Sequence, residues 1–427
     1  MGECGEDVNA NLISQSTGDH QLDKAIWQWM TWDKNPNTRA QIESLVKDGK
    51  VKELRERLCH RMTFGTAGLR SAMGAGFSLI NDLTIIQSTQ PYAVKKLRAI
   101  GGVMITASHN PKEDNGYKGL SLRLAEEEGA RVVLATDPDA DRLAVAEQLE
   151  NGTWKVFTGN ELAALLGWWM LLCWREANAE KKDIKKVYML ATTVSSKILH
   201  TMAQKEGFQF EETLPGFKWI GNRIIQLLDS GMEILFAFEE SIGFMCGTSV
   251  LDKDGVSAAV VVAEMATYLE TKNLTLNQQL EQVYTTYGFH ITKTSYLICY
   301  DQAIIKNIFE RIRKLGDDQG YPKFCGKYNI VNIRDVTTGY DSSQQDKKSV
   351  LPVTKNSQMI TFTFQNGCVA TLRTSGTEPK IKYYAEFCAL PGQRDFTLLN
   401  KELQNLIDVL VEYFLEPDKN NLKRRSL

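Results

Sequence analysis

The run KVYMLATTVSSKILHTMAQKEG, residues 186–207, shows the architecture of this chain most directly. Its first part is an apolar, β-like stretch that predicts a buried strand, and its second part has the spacing of an amphipathic helix. The same alternation recurs along the chain. The β-like runs GGVMIT, ARVVLAT, MEILFAF, GCVATL and KIKYYAEF alternate with helical runs such as ELAALLGWWMLL and VSAAVVVAEMATYLE. This pattern predicts an α/β fold with parallel or mixed sheets.

Two regions differ from this alternation. Residues 1–20 are polar without apolar periodicity, which predicts a disordered N-terminus, and residues 23–58 have the spacing of two amphipathic helices separated at Asn35-Pro36. From about residue 290, the runs YLICY and MITFTF, a final strand pair and the helical run LLNKELQNLIDVLVEYFL predict a separate α+β domain. The 427 residues are enough for several such domains.

The composition excludes several classes of partner. The chain has 50 Lys and Arg against 52 Asp and Glu, so it has no basic field for nucleic acid, and a small-molecule ligand is expected. The most apolar stretch, residues 162–174, is too short to cross a membrane, and the capping-box spacing of Thr158 and Glu161 before it predicts a buried helix. The cysteines lack metal or redox spacing and the polar start lacks a signal peptide, so we expect a cytosolic protein.

The sharpest local motif is DPDADR, residues 137–142, which follows the apolar strand ARVVLAT. Three carboxylates at alternate positions of an extended loop can converge on one hard cation, and oxygen ligands suit magnesium. An EF-hand would need Gly and Glu where this chain has Arg142 and Gln148, so calcium in that geometry is not expected. The other alternative is an ordinary acidic turn, but three acids beside a buried strand repel one another unless a cation neutralises them.

A serine motif follows another predicted strand. TASHNP, residues 106–111, comes after GGVMI and places Ser108 and His109 at a strand end, where loops present functional groups. The G-x-S-x-G pattern of serine hydrolases is not matched here. By itself the motif is most often a capping turn, but beside a metal loop a phosphorylated Ser108 that coordinates the cation is the better interpretation.

Two loops have the composition of anion sites. RTSGTEPK, residues 373–380, lies between two predicted strands and combines Arg373 with hydroxyls and exposed amides, which fits a phosphate dianion. A plain hairpin turn is the alternative. GTAGLR, residues 65–70, has glycines for close approach and Arg70 to hold an anion.

Three further loops carry polar groups suited to a sugar. FEESIG, residues 238–243, follows the strand ILFAF, and its carboxylates can accept hydrogen bonds from vicinal hydroxyls. PGFK, residues 215–218, and LDKDG, residues 251–255, each contribute a lysine. Considered singly, the first loop would be a helix cap, and each lysine would more often be a surface residue.

In this order, the segments GTAGLR, TASHNP, DPDADR, GFKW, EESIG and RTSGTEPK resemble those of the α-D-phosphohexomutase superfamily, over most of residues 20–415. The resemblance implies a multi-domain fold, with mixed parallel-sheet α/β domains and a C-terminal α+β domain, each giving a loop to one cleft. On this basis we expect four domains, at residues 21–118, 119–186, 187–288 and 289–427.

The resemblance also implies a role for each motif. Ser108 would be the phosphoserine, and its oxygen would join Asp137, Asp139 and Asp141 in holding magnesium. The phosphoryl-transfer centre would be completed by Arg70, His109 and Arg142. The residues that would contact sugar hydroxyls or the phosphate that does not react are Gly216, Lys218, Glu239, Glu240, Ser241, Lys253, Arg373, Ser375, Gly376, Thr377 and Lys382.

The implied activity is magnesium-dependent phosphoryl transfer on hexose phosphates through a phosphoserine. The chain is most similar to the branch that makes glucose 1,6-bisphosphate from 1,3-bisphosphoglycerate and glucose 1-phosphate, with phosphoglucomutase activity as a companion. Pro215 stands where mutases carry Thr, which favours the synthase. We expect a monomer whose ligands are hexose phosphates and a bisphosphate donor.

The chain departs from the family in its length. Ser108 and Asp137 are only 29 positions apart, and family-like sequence jumps at residues 90–91 and 118–119, which predicts that segments of the first two domains are missing. Losing strands and helices from parallel-sheet domains exposes apolar faces and open edges. A second hypothesis is therefore a shortened, catalytically impaired chain that binds only sugar phosphate or partner chains. A third is an unrelated magnesium phosphatase.

Overall fold

The chain divides into two compact units, Met1–Val156 and Phe157–Leu427. The structure is a computed structural model. It describes residues 17–60, the strands at 64–65 and 68–69, and residues 74–79, 81, 83, 118–137, 139–178, 183–354, 357–375, 379–393 and 395–424. The predicted disorder of residues 1–20 falls almost entirely outside these ranges and stays a prediction.

The first unit begins with three helices, α1 (His20–Trp32), α2 (Pro36–Lys47) and α3 (Val51–Leu58). The side chain of Asn35 caps α2, whose first residue is Pro36, so the predicted break at this point is confirmed. The prediction of only two helices over residues 23–58 was wrong. Gly49 has a φ of +63°, which ends α2 and starts a new helix two residues later. The fully buried side chains between the helices are Leu22, Trp29, Ile42 and Leu54.

The rest of the described first unit is one helix and two small sheets. The helix is α4 (Lys118–Glu127), and the two-residue strands β1 (Phe64–Gly65) and β2 (Gly68–Leu69) pair with each other. The second sheet is antiparallel and consists of β3 (Val132–Thr136), β4 (Leu143–Gln148) and β5 (Trp154–Val156). The predicted strand ARVVLAT is thus confirmed as β3, whereas the predicted strand GGVMIT lies outside the described residues.

The second unit opens with an α/β layer. Its helices are α5 (Gly159–Ala177), α6 (Ile198–Glu206), α7 (Phe217–Asp229), α8 (Gly255–Thr271) and α9 (Leu276–Tyr287). Its strands are β6 (Val187–Thr192), β7 (Gln209–Thr213), β8 (Glu233–Glu239) and β9 (Gly243–Cys246), in the order β7-β6-β8-β9. β6 is parallel to β7 and β8, and β9 is antiparallel to β8, so the predicted mixed sheet is confirmed. Loops at the carboxyl ends of such parallel strands usually carry the functional groups.

The apolar helix α5 has the predicted start. The hydroxyl of Thr158 accepts the amide of Glu161, whose carboxylate in turn accepts the amide of Thr158. The middle of the helix is buried, as predicted, with Leu162, Leu165 and Leu166 fully enclosed. None of the helices in the described part of the chain meets the length and hydropathy that a membrane span requires.

The C-terminal part of the second unit is an antiparallel sheet with two helices, α10 (Gln302–Arg313) and α11 (Phe396–Leu410). The strands are β10 (His290–Ile298), β11 (Phe324–Cys325), β12 (Tyr328–Asp335), β13 (Tyr340–Asp341), β14 (Met359–Phe364), β15 (Cys368–Thr374), β16 (Lys380–Cys388) and β17 (Lys423–Arg424). Their order is β11-β12-β14-β15-β16-β10-β17, with β13 beside β12. The predicted α+β arrangement of strands and helices is confirmed, whereas its status as a separate domain stays a prediction. Its last helix changes to a π-helical turn at Val411–Leu415.

The two faces of this sheet differ in chemistry because side chains alternate along each strand. One face buries Phe362, Leu372 and Ile381 in a core shared with α10 and α11. The other face carries polar side chains of β16 such as Lys382, Tyr384 and Glu386. Within the second unit, Tyr384 packs against Val194 of the α/β layer. The polar face of the C-terminal sheet therefore meets the loop that follows β6.

Candidate active site

The predicted metal loop, which carries Asp137, Asp139 and Asp141, connects β3 and β4. Thr136 pairs with Leu143, so the loop joins two antiparallel strands. The amide of Ala140 donates to the carbonyl oxygen of Asp137 over 2.9 Å, and Ala140 has a φ of 57°, in the left-handed region. This tight turn brings one carboxylate oxygen from each of Asp137, Asp139 and Asp141 within 4.8 Å of the others.

The three carboxylates of this loop influence one another. Burial raises the pKa of Asp137 to about 7, and the charges of Asp141 and Asp139 act in the same direction, against the amide and guanidinium of Arg142. The Arg142 amide donates to one oxygen of Asp137 over 3.1 Å, and its Nη1 lies 3.6 Å from the other. The converging carboxylate oxygens fit a hard divalent cation such as magnesium.

A second group of potential metal ligands lies on the C-terminal sheet. His290 on β10 pairs directly with Cys388 on β16, and Glu386 is two residues earlier on that strand, so their donor atoms lie within 4.8 Å of one another. The His290 ring nitrogens are already hydrogen-bonded, Nδ1 to a backbone carbonyl and Nε2 to the hydroxyl of Thr201. Both oxygens of Glu386 accept hydrogen bonds from the start of α6. The side chains of His290 and Glu386 therefore already serve as hydrogen-bond partners that connect α6 and the residues just before it to the sheet.

The predicted sugar loops converge at the carboxyl end of β8. The carboxylate of Glu239 accepts the amide of Gly216 over 2.7 Å, and Gly216 has a φ of 113°, which residues other than glycine rarely adopt. The chain of Lys253 runs across Gly243, where a Cβ would lie 2.3 Å from the Lys253 Cδ. The Lys253 ammonium lies 5.7 Å from the centre of the Phe217 ring. Three loops separated in sequence thus lie side by side.

Glu240 and its neighbours lie in the same region. The hydroxyl of Ser241, which is exposed, donates to Oε1 of Glu240 over 3.3 Å, and the hydroxyl of Ser195 donates to Oε2 over 3.3 Å. Lys218, in the first turn of α7, places its ammonium 5.8 Å from the centre of the Trp219 ring, a cation–π contact. The carboxylate of Glu240 is therefore fixed on its inner side and reachable on its outer side.

The predicted phosphate loop joins β15 and β16. The amide of Ser375 donates to the carbonyl oxygen of Lys380 over 3.0 Å and closes the loop. Arg373 and Lys382 are directly opposite each other on the two strands. Two cationic side chains at opposite positions on one face of a sheet can bind one anion together. The pair therefore fits a phosphate group.

Tyr384 lies near charged residues of both the carboxylate loop and the phosphate loop, and it was not among the predicted site residues. It is buried on the same face of β16 as Lys382. Burial raises the pKa of Tyr384, as do the charges of Glu240 and Glu239, whereas Arg373 lowers it. A signal was present, because the alternation in KIKYYAEF places Lys382 and Tyr384 on one face.

Several predicted site residues lie outside the described residues. They are Arg70, Ser108, His109, Gly376 and Thr377. Their roles stay predictions. Among the described site residues, the predicted metal loop belongs to the first unit, and the predicted sugar and phosphate loops belong to the second.

The sequence matches two family models. One, described as "Phosphoglucomutase/phosphomannomutase, alpha/beta/alpha domain III", matches residues 159–287, which contain the α/β layer of the second unit. The other, described as "Phosphoglucomutase/phosphomannomutase, alpha/beta/alpha domain I", matches residues 88–123 and runs across both predicted joins. Among solved structures, pp63/parafusin, a phosphoglucomutase from Paramecium in its open form, is 20% identical with a TM-score of 0.49, covering 70% of this chain and 47% of that one.

Curated relatives match along the whole chain. Glucose 1,6-bisphosphate synthase of Homo sapiens is 50% identical over 615 aligned positions, which cover 99% of each chain. Phosphopentomutase of Homo sapiens is 40% identical over 600 positions, which cover 96% of this chain and 98% of that one. Because this chain has 427 residues, at least 188 of the 615 positions, the difference between the two numbers, have no residue here. The prediction of missing internal segments agrees with this difference.

Proposed function

Because the chain belongs to the phosphohexomutase family, we propose that it transfers a phosphoryl group to a hexose phosphate through Ser108, with magnesium bound by Asp137, Asp139 and Asp141. The proposed reaction forms glucose 1,6-bisphosphate from 1,3-bisphosphoglycerate and glucose 1-phosphate. The observation that carries the transfer centre is the convergence of the three aspartate oxygens within 4.8 Å. The 50% identity to human glucose 1,6-bisphosphate synthase supports the choice of reaction.

The proposed reaction consists of two transfers. The hydroxyl oxygen of Ser108 takes the phosphoryl group from the acyl phosphate of 1,3-bisphosphoglycerate, and 3-phosphoglycerate leaves. A hydroxyl of glucose 1-phosphate then takes the group from the phosphoserine, which forms glucose 1,6-bisphosphate and restores the serine. Such transfers depend mostly on positioning and on neutralising charge at the equatorial oxygens. Magnesium supplies part of that neutralisation when it is bound.

Arg142 supplies fixed positive charge beside the aspartates. Its Nη1 lies 3.6 Å from Asp137 and its Nε lies 3.9 Å from Asp141, and only 17% of its side chain is exposed. The guanidinium is therefore oriented before a substrate arrives, which is the condition for electrostatic stabilisation of a transition state. Arg70 and His109 complete this centre in the proposal.

The loops of the second unit divide the recognition of the sugar phosphate between them. Glu239 and Glu240 are charged acceptors, so their partners are the hydroxyls of the sugar. Arg373 and Lys382 lie opposite each other and bind the phosphate that is not transferred. The remaining proposed contacts are Gly216, Lys218, Ser241, Lys253, Ser375, Gly376 and Thr377.

We also propose a location, an oligomeric state and a set of ligands for the protein. We place the chain in the cytosol as a monomer, with hexose phosphates and a bisphosphate donor as its ligands. The near-neutral net charge of −2 supports small molecules rather than nucleic acid as partners. The free thiols of the described cysteines are compatible with a reducing compartment.

The test is formation of glucose 1,6-bisphosphate by the purified chain from magnesium, glucose 1-phosphate and 1,3-bisphosphoglycerate. We expect Ser108→Ala and Asp139→Asn to lower the rate by at least about 10³-fold. The control is Ser230→Ala, which removes an exposed hydroxyl bonded to a helix-end carbonyl over 2.9 Å and should leave the rate unchanged. Release of inorganic phosphate without bisphosphate would instead indicate a phosphatase.

The missing positions favour a second candidate function, a catalytically impaired chain that only binds sugar phosphate or partner chains. At least 188 aligned positions have no residue in this chain. Under this hypothesis the folded wild-type chain gives no product, yet it still binds glucose 1-phosphate in a calorimetric titration. The same preparation therefore distinguishes the two functions.

A further inference from the structure

The loop between β6 and α6 makes hydrogen bonds to both the backbone and the side chain of Glu240. The amide of Glu240 donates to Oγ of Ser195 over 3.1 Å, and the hydroxyl of Ser195 donates to Oε2 of the same Glu240 over 3.3 Å. Oγ1 of Thr192 lies 2.7 Å from Oγ of Ser195, and the hydroxyl of Thr192 also donates to Oε2 of Glu240 over 3.5 Å. The two hydroxyls therefore contact each other and the same carboxylate oxygen.

Burial makes this arrangement rigid. Thr192 and Ser195 are 0% and 3% exposed, so no water competes for their hydroxyls. Oε2 of Glu240 therefore points into the protein, whereas Oε1 contacts only the exposed hydroxyl of Ser241 among the hydrogen bonds found in the described part of the chain. The two oxygens of the Glu240 carboxylate therefore differ in their surroundings. Oε2 is held by the protein, and Oε1 is presented outward.

The backbone around Glu240 is constrained from two further directions. A Cβ at Gly159 would lie 2.1 Å from the carbonyl oxygen of Glu240, so the first turn of α5 fits closely against the loop. Ile242 has a φ of 52°, a conformation that is unfavourable for a β-branched residue. Such strain persists only where the surrounding structure holds it in place, and it occurs most often in ligand-binding loops.

We propose that Ser195, supported by Thr192, is the positioning residue that aims Oε1 of Glu240 at one hydroxyl of the sugar phosphate and thereby sets selectivity for that hydroxyl. The inference rests on the proposed function, because it takes a hexose phosphate as the ligand. A glutamate that must be ordered on binding loses side-chain entropy, whereas a glutamate held in advance does not. Because Oε1 is held in one position, the site also distinguishes between sugars: a sugar that lacks the hydroxyl leaves Oε1 without a hydrogen-bond partner and binds more weakly.

The test compares glucose 1-phosphate with its 2-deoxy, 3-deoxy and 4-deoxy analogues, using calorimetric Kd values and, where turnover occurs, KM and kcat. For Ser195→Ala we expect the Kd of glucose 1-phosphate to rise about tenfold with a small change in kcat. The Kd of one deoxy analogue should stay nearly unchanged, because that analogue has already lost the hydroxyl that Glu240 binds. Non-additivity of this kind shows that side chain and hydroxyl are coupled.

The chain offers a matched control in Thr193→Val. Thr193 lies between Thr192 and Ser195, is 1% exposed, and its hydroxyl has no hydrogen-bond partner among the described residues. This variant should leave all four Kd values unchanged. Thr192→Val is a second variant that conserves volume, and we expect it to raise the Kd of glucose 1-phosphate about threefold even if Ser195→Ala folds poorly.

Each other outcome has a defined meaning. Equal weakening of all four ligands by Ser195→Ala, or no weakening at all, would overturn the positioning role. The same follows if Thr193→Val reproduces the loss. Failure of the wild-type chain to bind glucose 1-phosphate would refute the proposed function on which the inference rests.

Discussion

The ionisation of Asp137 depends on its surroundings. It is 5% exposed, and burial together with the charges of Asp141 and Asp139 raises its pKa to about 7. Between pH 3.8 and about 7, the carboxyl of Asp137 is therefore protonated in the folded chain and ionised in the unfolded chain. A cation in the loop would replace that proton as the neutralising charge.

This arrangement predicts a pH dependence of stability in the metal-free protein. Because the folded pKa is raised, the contribution of Asp137 is fully present below pH 3.8 and is lost as the pH rises through about 7. In EDTA, we expect the Tm of the wild type to fall across this window and that of Asp137→Asn to fall less. At pH 8, magnesium at a hundredfold excess over its Kd should stabilise the wild type by about 2.7 kcal/mol and the variant by nothing. Identical profiles for the two proteins would contradict this, and Asp229→Asn, at an exposed aspartate, is the control.

Ala140 allows an independent test of the same loop. Its φ of 57° is left-handed, which costs an L-residue about 1–2 kcal/mol and costs glycine almost nothing. After the larger backbone entropy of unfolded glycine is subtracted, we expect Ala140→Gly to raise the free energy of unfolding by about 0.5–1 kcal/mol. Ala144→Gly, in the extended strand β4, should lower it by a similar amount. Denaturant unfolding measures both, and destabilisation by Ala140→Gly would show that the turn differs from the one described.

Residues that carry local motifs could be predicted from the sequence, and residues that support them could not. The spacing of DPDADR predicts the converging carboxylates by itself, because the loop is only six residues long. Ser195 lies 45 positions before Glu240, and Tyr384 becomes relevant only through the register that places it two residues from Lys382 on one face of β16. Contacts of this kind depend on tertiary packing, which single-sequence patterns do not encode.

At the scale of elements, the contact between the β6–α6 loop and the C-terminal sheet is built on a largely buried ion pair. Glu212 on β7 lies 2.5 Å from the ammonium of Lys197 and 2.7 Å from the guanidinium of Arg334 on β12, and 18% of its side chain is exposed. Burial opposes its ionisation, but the charges and hydrogen bonds of Lys197 and Arg334 outweigh burial and lower the pKa of Glu212 to about 2. The charge on Glu212 therefore connects two elements that are far apart in sequence.

We expect Glu212→Gln to lower the free energy of unfolding by about 3 kcal/mol at pH 7, because it leaves two buried cations without their partner. The neighbouring Glu211→Gln is the matched control. Its pair with Arg223 is 2.6 Å long but more exposed, so the loss should be below about 1 kcal/mol. The difference between wild type and Glu212→Gln should be full above pH 4.5 and should disappear as the pH falls towards 2, since the folded pKa is lowered. Equal losses in the two variants at pH 7 would contradict this account.

Element types were predictable where the apolar pattern was long and regular, as in α5, β8 and β14. The number of N-terminal helices was not, because the sequence of Asp48 and Gly49 resembles a turn inside a helical pattern until the positive φ is seen. The end of the last helix was missed for a related reason. Val411–Leu415 keeps the apolar spacing of a helix while its hydrogen bonds change to the π type.

For the whole molecule, the decisive fact is that at least 188 positions of the human relative have no residue here. The hydrophobic cores in the described part of the chain differ in size. The C-terminal sheet buries a continuous cluster that includes Phe309, Phe362 and Phe414, all fully enclosed. The sheet of β3–β5 has a much smaller cluster, in which the buried members are Ala125, Val133 and Ala146, and it also buries Leu143 and Val145. Among the described clusters, the one beside the predicted metal loop is thus the smallest.

Native-state hydrogen exchange would measure this difference along the chain. Local opening requires less free energy where less apolar surface is buried, and a sheet of three strands is close to the minimum for stability. We therefore expect the amides of β4 to open with a free energy at least about 3 kcal/mol below that of β15, at the centre of its eight-stranded sheet. Magnesium should slow exchange in β3 and β4 of the wild type and leave it unchanged in Asp137→Asn. Equal protection of β4 and β15 without metal would show that the missing positions weaken this sheet little, and it would remove the structural reason for regarding the chain as catalytically impaired.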